Sequence, residues 1–297
     1  SGGGVLYSEA EQELSKFAKK HNIPVTSTVM GIGCMTKDDP YYISAVGALG
    51  EGSSNSLSKD TDLALAIGTK LADFTTGSWA NFENPNFKLV SVNTARYDTT
   101  KHLATPVISD AKVGLQKISE ALGDWKAPDD WYKRAIKEKN EWDAYVEKQS
   151  GPTNQEEPSY AHAVGAVYRN SDPSDIVVTA AGGLVGEVVQ VWKPKQLNTF
   201  ETEWGFSCMG YEISGALGIK MAKPDQDVVV FVGDGSYLLN NTDIYSSVIY
   251  DQKLIIIVCD NGGHMVINRL QLAKGGKEYI CNLRAARATN LKFVDFE

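Results

Sequence analysis

Val228-Val229-Val230-Phe231-Val232-Gly233-Asp234-Gly235-Ser236 is the stretch that decides how this chain folds. Five β-formers run without a polar break into a glycine, which reads as a strand buried on both faces of a parallel sheet. Leu254-Ile255-Ile256-Ile257-Val258-Cys259 repeats the pattern and runs into Asp260-Asn261-Gly262-Gly263. One helical pattern, Asp243–Tyr250, lies between them, so the order predicts two parallel strands joined by a crossover helix. Asp234 and Asn261 then leave the sheet at one C-terminal edge, where open α/β sheets bind ligands.

Outward from this pair the alternation continues. Tyr160–Arg169 reads as a helix, Asp175–Thr179 as a strand, and Gly210–Met221 as a helix whose Gly215, Ala216 and Gly218 allow close packing. In the first half, Ser8 is the expected N-cap of a helix, with Glu9 and Glu11 in its first turn and Ala10, Leu14, Phe17 and Ala18 on its apolar face. Pro24–Val29, Asp62–Ile67 and Lys88–Val92 read as strands. Asp110–Leu122 reads as a helix burying Val113, Ile118 and Leu122. Ser1–Val5 reads as a loop that follows a strand, and Lys292–Glu297 as a lead into a further element, so both ends look cut. The expectation is two doubly wound α/β domains with parallel sheets, 1–123 and 158–297, the second incomplete at its C-terminus. Residues 124–157 join them, and two readings stand for their Trp125, Trp131, Trp142 and Tyr145: an interdomain connection packed on a neighbouring domain, or a surface helix with one apolar stripe.

Composition narrows the function. The 297 residues hold 42% hydrophobic and 22% charged side chains, a globular balance. Basic residues number 29 against 37 acidic, for a formal charge of -8 with no basic cluster, which argues against a nucleic-acid surface. The apolar runs are far shorter than the roughly 20 residues of a membrane helix, so no membrane partner is expected. Cys34, Cys208, Cys259 and Cys281 stand far apart without a CxxC pair, which predicts neither a zinc site nor a disulfide framework and suits a reducing cytoplasm. No charged-then-apolar leader opens the chain.

The chemistry gathers where the two strands end. A carboxylate (Asp234), an amide oxygen (Asn261) and a nearby backbone carbonyl are hard donors suited to Mg2+, which keeps water and takes phosphate oxygens as further ligands. Gly233 and Gly235 clear side chains from beside Asp234, so N–H groups and the Ser236 hydroxyl can approach a diphosphate. Other readings remain at this level: Gly233-Asp234-Gly235 as a plain turn, Asn261-Gly262 as a turn dipeptide, and Gly233-x-Gly235 as the start of a dinucleotide fingerprint. The last lacks its third glycine, because Leu238 stands there. The pairing of the two motifs, with 27 positions from Asp234 to Asn261, favours the metal and diphosphate.

GDGS, twenty-three intervening residues and Asp260-Asn261 resemble the signature of the thiamine diphosphate enzymes of the acetolactate synthase and pyruvate oxidase group. The likeness extends over most of the chain. Gly2-Gly3-Gly4-Val5, Ile23-Pro24-Val25 with Thr28, Gly31-Ile32-Gly33 and Gly47-x-x-Gly50 resemble the group's central domain, and the second half resembles its diphosphate-binding domain. The resemblance implies thiamine diphosphate and Mg2+ as cofactors, with Asp234 and Asn261 ligating the metal by side chain and Gly263 by its carbonyl. It implies that Gly233, Gly235 and Ser236 meet the diphosphate, and that Gly182 and Gly183 lie against its other end. Met209 would sit under the bent cofactor, and the Ser207 carbonyl would accept from its aminopyrimidine. The activating glutamate of the group belongs to an N-terminal pyrimidine domain that these residues do not include, and Glu9, Glu11 and Glu13 are not candidates. The chain by itself is therefore expected to be inactive, and the whole protein to be a homodimer or homotetramer. The loops 182–187 and 262–290 are expected to order only around cofactor and the missing domain.

Glu203–Gly218 and Ile267–Gln271 resemble more narrowly the group's trihydroxycyclohexanedione hydrolases of inositol catabolism. That likeness implies a small-molecule substrate, a cyclic dione opened to 5-deoxy-glucuronate by carbon–carbon hydrolysis. An acetolactate-type 2-oxo acid ligase is the alternative, and a non-catalytic nucleotide-binding module the second. Arg269, in place of an asparagine, and Gly263-His264-Met265, in place of Phe-Gly-Cys, depart from the pattern on the expected substrate side. His264 is the candidate acid or base there, and Cys208 reads as an apolar filler.

Overall fold

Two compact units make up the chain. A computed structural model describes residues 1–282, and it groups 1–173 and 189–200 in one unit, 174–188 and the described residues from 201 onward in the other. The expected boundaries, 1–123, 124–157 and 158–297, divide the chain differently, and Lys292–Glu297 lies outside the described residues. No helix among the described residues is long and apolar enough to cross a membrane.

In the first unit, α1 (Gly3–Tyr7) replaces the expected loop, and α2 (Glu11–His21) follows. Ala10, Leu14, Phe17 and Ala18 are all buried, as their spacing predicts. Ser8 is not the cap, since Ala10 holds that position without a side-chain bond. The Ser8 hydroxyl instead donates to Asp110, 2.5 Å away, a partner 102 residues on that no local pattern reveals. β1 (Val25–Ser27) is shorter than expected because the chain turns into a 3-10 segment at Val29–Gly31.

β1 pairs in parallel with β2 (Tyr42–Ala45). After α3 (Gly52–Asp60), β3 (Leu63–Ile67), α4 (Asp73–Thr76), β4 (Lys88–Asn93), α5 (Arg96–Thr100) and β5 (Thr105–Ile108) form a parallel sheet in the order β3-β4-β5. Pro106, which has no N–H to give a ladder, sits on an edge strand, where it is tolerated.

α6 (Ala111–Leu122) is capped by Asp110, whose carboxylate accepts from the Lys112 and Val113 N–H groups. Its buried face differs from expectation by part of a turn. Val113 is half exposed, while Ala111, Gly114 and Leu115 are buried and Ile118 and Leu122 pack against that core. Packing on α2 and β4 sets the helix's rotation, which its own sequence leaves open.

α7 (Asp129–Ser150), which carries three of the four aromatics, packs on α3, on β2 and on α8 (Tyr160–Asn170), all in the first unit. Trp131 packs with buried Ile43, Leu57 and Ala135, and the Trp142 ring fills the space a side chain at Gly52 would need.

Near these elements Glu51 is buried at 1% exposure and ion-paired to Lys193, and its Oε2 has no hydrogen-bond partner among the described residues. Burial outweighs the Lys193 ammonium and pushes the carboxyl up to about 7 from 4.5, with Asp143 raising it further and Lys139 opposing. The folded chain thus holds this proton more tightly than the unfolded chain does. The resulting stability is fully present below about pH 4.5 and is lost as pH rises through 7, an effect on the order of 3 kcal/mol. Glu51→Gln should flatten the pH dependence of the urea midpoint between pH 5 and 8; an unchanged slope would refute this assignment.

The second unit holds β6 (Ile176–Thr179), the start of α9 (Leu184–Val191), all but the first residue of β7 (Phe200–Thr202), α10 (Tyr211–Ala222), β8 (Val228–Gly233), α11 (Asp234–Leu239), α12 (Asp243–Ile249), β9 (Ile255–Cys259) and α13 (Met265–Ala273). The sheet order is β7-β6-β8-β9, with β8 parallel to both neighbours. Val228, Val230 and Val232 face one way into a cluster with Val178, Ile213 and Ala216, while Val229 and Phe231 are buried on the other face. Two helices, not one, separate β8 from β9, because α11 ends after six residues at Asn240. Of the loops expected to need a ligand, 184–187 opens α9 and 265–273 is α13; residues 283–290 lie outside the described residues.

Candidate functional site

β8 and β9 end side by side. Gly233 is in register with Cys259, so Asp234 and Asp260 leave neighbouring parallel strands at the same edge. Asp234 opens α11 at 4% exposure. Its carboxylate receives N–H groups from Gly235, Asn261 and Gly263, the last at 2.8 Å from Oδ2. Asp260 folds its own loop by accepting the Gly262 N–H at 2.8 Å. Gly263 has φ +139, and a side chain there would run into the Cys281 carbonyl, so only glycine fits. The loop is tied to the chain beyond α13 by the His264 N–H, which donates to the Cys281 carbonyl at 2.8 Å. The Gly263 carbonyl accepts from the Met265 N–H at 3.0 Å, which leaves it one lone pair.

Burial pushes the Asp234 carboxyl above its ordinary value; the N–H of Gly235 opposes this and the charge of Asp260 adds to it. A buried acid beside a second acid is a place a cation relieves. Among the described residues no three His, Cys, Asp or Glu side chains cluster as metal ligands. A cation held here by Asp234, the Asn261 amide and a carbonyl therefore needs its remaining ligands from water or from a phosphate, the habit of Mg2+. The residues present fit a magnesium-bound diphosphate.

Gly235 is the point where two other predicted residues meet. A Cβ on it would lie 2.8 Å from the His264 ring and 3.6 Å from the Met209 methyl, so Met209, Gly235 and His264 converge beside Asp234. Met209 is 38% exposed, available to a ligand rather than packed in the core. It leaves a loop in which Ser207 takes a left-handed backbone (φ 52). Glu203 shapes that loop, accepting from Phe206 N at 3.0 Å and Cys208 N at 2.6 Å. Burial works against ionising Glu203, yet these N–H groups outweigh it and hold the carboxyl below its ordinary value.

Gly182 and Gly183 lie between β6 and α9. Open space surrounds Gly182, whereas Gly183 lies under the Arg269 guanidinium, 2.8 Å from where its Cβ would be. Space around Gly233 is also open. Ser236 differs from the others, because it is buried and its hydroxyl donates to Glu212 at 2.8 Å. Neither Glu212 nor Glu203 was singled out by sequence reasoning. A signal for Glu212 existed: it is the one charged side chain in Trp204–Ile219.

The sequence profile for the central domain of thiamine pyrophosphate (thiamine diphosphate) enzymes matches residues 1–118, and that for their C-terminal TPP binding domain matches 180–296. The chain belongs to the thiamine pyrophosphate enzymes. The C-terminal match contains β8, β9 and every predicted site residue. Among curated relatives, the chain is 35% identical to 3D-(3,5/4)-trihydroxycyclohexane-1,2-dione hydrolase of Geobacillus thermodenitrificans, over 95% of this chain and 47% of that protein. The same-named enzyme of Clostridium tetani is 35% identical over 95% of this chain and 48% of its own length. That of Lacticaseibacillus casei is 32% identical over 96% and 48%. This thiamine pyrophosphate enzyme chain thus spans about half the length of the curated relatives it matches.

Proposed function

We propose that this chain supplies the metal- and diphosphate-binding part of a thiamine diphosphate- and Mg2+-dependent hydrolase that cleaves a carbon–carbon bond of trihydroxycyclohexane-1,2-dione, opening the ring to 5-deoxy-glucuronate. The observation that carries the cofactor part is the buried Asp234 carboxylate beside Asn261 and Gly263 at one sheet edge. The relatives' shared name supports the substrate part.

When bound, thiamine diphosphate supplies a carbon nucleophile in its thiazolium ring. The protein's share is placement. Asp234, Asn261 and the Gly263 carbonyl hold the cation. Gly182 and Gly233, with open space beside them, leave room for the diphosphate, and Gly183 and Gly235 lend backbone to it beside Arg269 and His264. Met209 supports the organic part beside Gly235, and Ser207 presents its carbonyl to the aminopyrimidine. His264, its ring against Gly235, is placed to hold or pass a proton on the substrate side. The proposal includes a small-molecule substrate, a homodimeric or homotetrameric assembly and a cytoplasmic setting. All four cysteines are free thiols, which supports the last.

One observation favours a second reading, a 2-oxo acid ligase of the acetolactate type: the Arg269 guanidinium beside the Gly182-Gly183 loop suits a substrate carboxylate. The protein expressed from its full reading frame, loaded with Mg2+ and thiamine diphosphate, should consume the cyclic dione with ring opening and leave pyruvate untouched. Acetolactate formation without ring opening would replace the first reading by the second.

A further inference from the structure

The three loops that carry the proposed cofactor residues converge on one buried side chain. Glu212, in the first turn of α10, is 1% exposed. Its Oε1 accepts the Ala181 N–H at 3.1 Å, and its Oε2 accepts the Gly210 N–H at 3.0 Å and the Ser236 hydroxyl at 2.8 Å. The Gly210 N–H also reaches the Ser236 hydroxyl oxygen at 2.8 Å, which closes the network. Ala181 precedes Gly182-Gly183, Gly210 follows Met209, and Ser236 belongs to Gly233-Asp234-Gly235-Ser236.

We propose that Glu212 is a positioning residue for cofactor binding, a carboxylate latch that fixes the loop after β6, the loop before α10 and the turn after β8 relative to one another. The proposal rests on the thiamine diphosphate reading above and adds a determinant that reading does not contain. Three donors on two oxygens of one ion make charge-assisted bonds, stronger and more directional than neutral ones. Inside a buried site such a network is rigid only when every member is satisfied.

The latch also reassigns Ser236. A hydroxyl has a single proton, and here that proton goes to Glu212, so the side chain has none to give a phosphate oxygen. Ser236 therefore serves the site through the latch and its backbone, not through a hydroxyl–phosphate bond.

The test uses the protein expressed from its full reading frame, as wild type, Glu212→Gln and Ser236→Ala. An amide at 212 keeps the shape but offers one acceptor oxygen, so at least one of the three loops loses its bond. Ser236→Ala removes one donor and keeps the carboxylate, a milder change that holds the test open where Glu212→Gln fails to fold. Calorimetric titration with Mg2+ and thiamine diphosphate should show about a 10-fold or greater rise in Kd for Glu212→Gln and about 3- to 10-fold for Ser236→Ala. Amide hydrogen exchange without cofactor should accelerate about 10-fold at Ala181 and Gly210 while staying unchanged within Val229–Val232. Saturating cofactor should restore protection at the two loop amides.

A general structural role predicts instead faster exchange throughout the sheet and wild-type affinity in the folded fraction; that result would overturn the proposal. Wild-type affinity together with wild-type exchange in both variants would overturn it as well and leave the cofactor reading standing. Absence of binding by the wild type would remove the cofactor reading itself, and the latch with it.

Discussion

Asp234→Ala should weaken thiamine diphosphate binding in the presence of Mg2+ by about 100-fold or more, the equivalent of roughly 3 kcal/mol. Among the described residues at the β8–β9 edge, Asp234 is the buried acid, and the Asn261 amide and Gly263 carbonyl proposed beside it are neutral groups that would not replace its charge. The effect on folding should be small. Burial and the charge of Asp260 disfavour ionised Asp234, but Asp234→Asn gives up one of the oxygens that accept the Gly235, Asn261 and Gly263 N–H groups, so the two effects oppose and the melting temperature of the cofactor-free protein should move by less than about 5 °C. The two readouts together separate a ligand from a fold-holding acid. Wild type should gain about 2.7 kcal/mol of stability at a cofactor concentration 100 times its Kd, and Asp234→Asn should gain almost none at that concentration. Equal stabilisation of both proteins would mean that the diphosphate binds without this carboxylate.

Phe231→Ala should destabilise the protein by about 3–5 kcal/mol and lower the melting temperature of the second unit by on the order of 10 °C. Phe231 is fully buried in the middle of the central strand β8, on the face of the sheet opposite Val228, Val230 and Val232, so removing its ring leaves a void in the packed layer on that face. The consequence reaches the site because β8 alone delivers Asp234, and the Gly233–Cys259 register that sets it beside Asp260 begins in the same strand. Phe231→Leu, which keeps most of the volume, should recover more than half of the loss. A melting temperature within about 2 °C of wild type for Phe231→Ala would show that the sheet interior does not hold this edge in place.

What was legible in the sequence was whatever depends on local pattern. Two uninterrupted apolar runs, each ending in small and acidic residues, were enough to predict two parallel strands and a shared C-terminal edge, and the structure adds that the strands are direct neighbours. The apolar spacing of Ala10 to Ala18 likewise gave the buried face of α2. The misreadings share a cause, which is long-range pairing. Ser8 looks like a helix cap until Asp110 is known to lie beside it. Val113 looks as apolar as Leu115, and only the elements packed on α6 decide which is buried. Glu212 stands out as the one charge in its helical stretch, but its partners are 31, 2 and 24 positions away, so which loops it bonds could not be read without the folded chain. Ser236 was read toward the phosphate on its motif, and its hydroxyl hydrogen-bonds to Glu212, 24 positions away in the sequence.

In the proposed site, Asp234 and Asn261 together hold a divalent cation that carries a diphosphate. A crystal structure of the protein with thiamine diphosphate and Mn2+, located by the metal's anomalous scattering, tests it most directly. One Mn2+ is expected within about 2.2 Å of both an Asp234 carboxylate oxygen and the Asn261 amide oxygen, with phosphate oxygens completing its shell. A diphosphate bound with its metal on other residues, or with only one of these two groups coordinated, would contradict it.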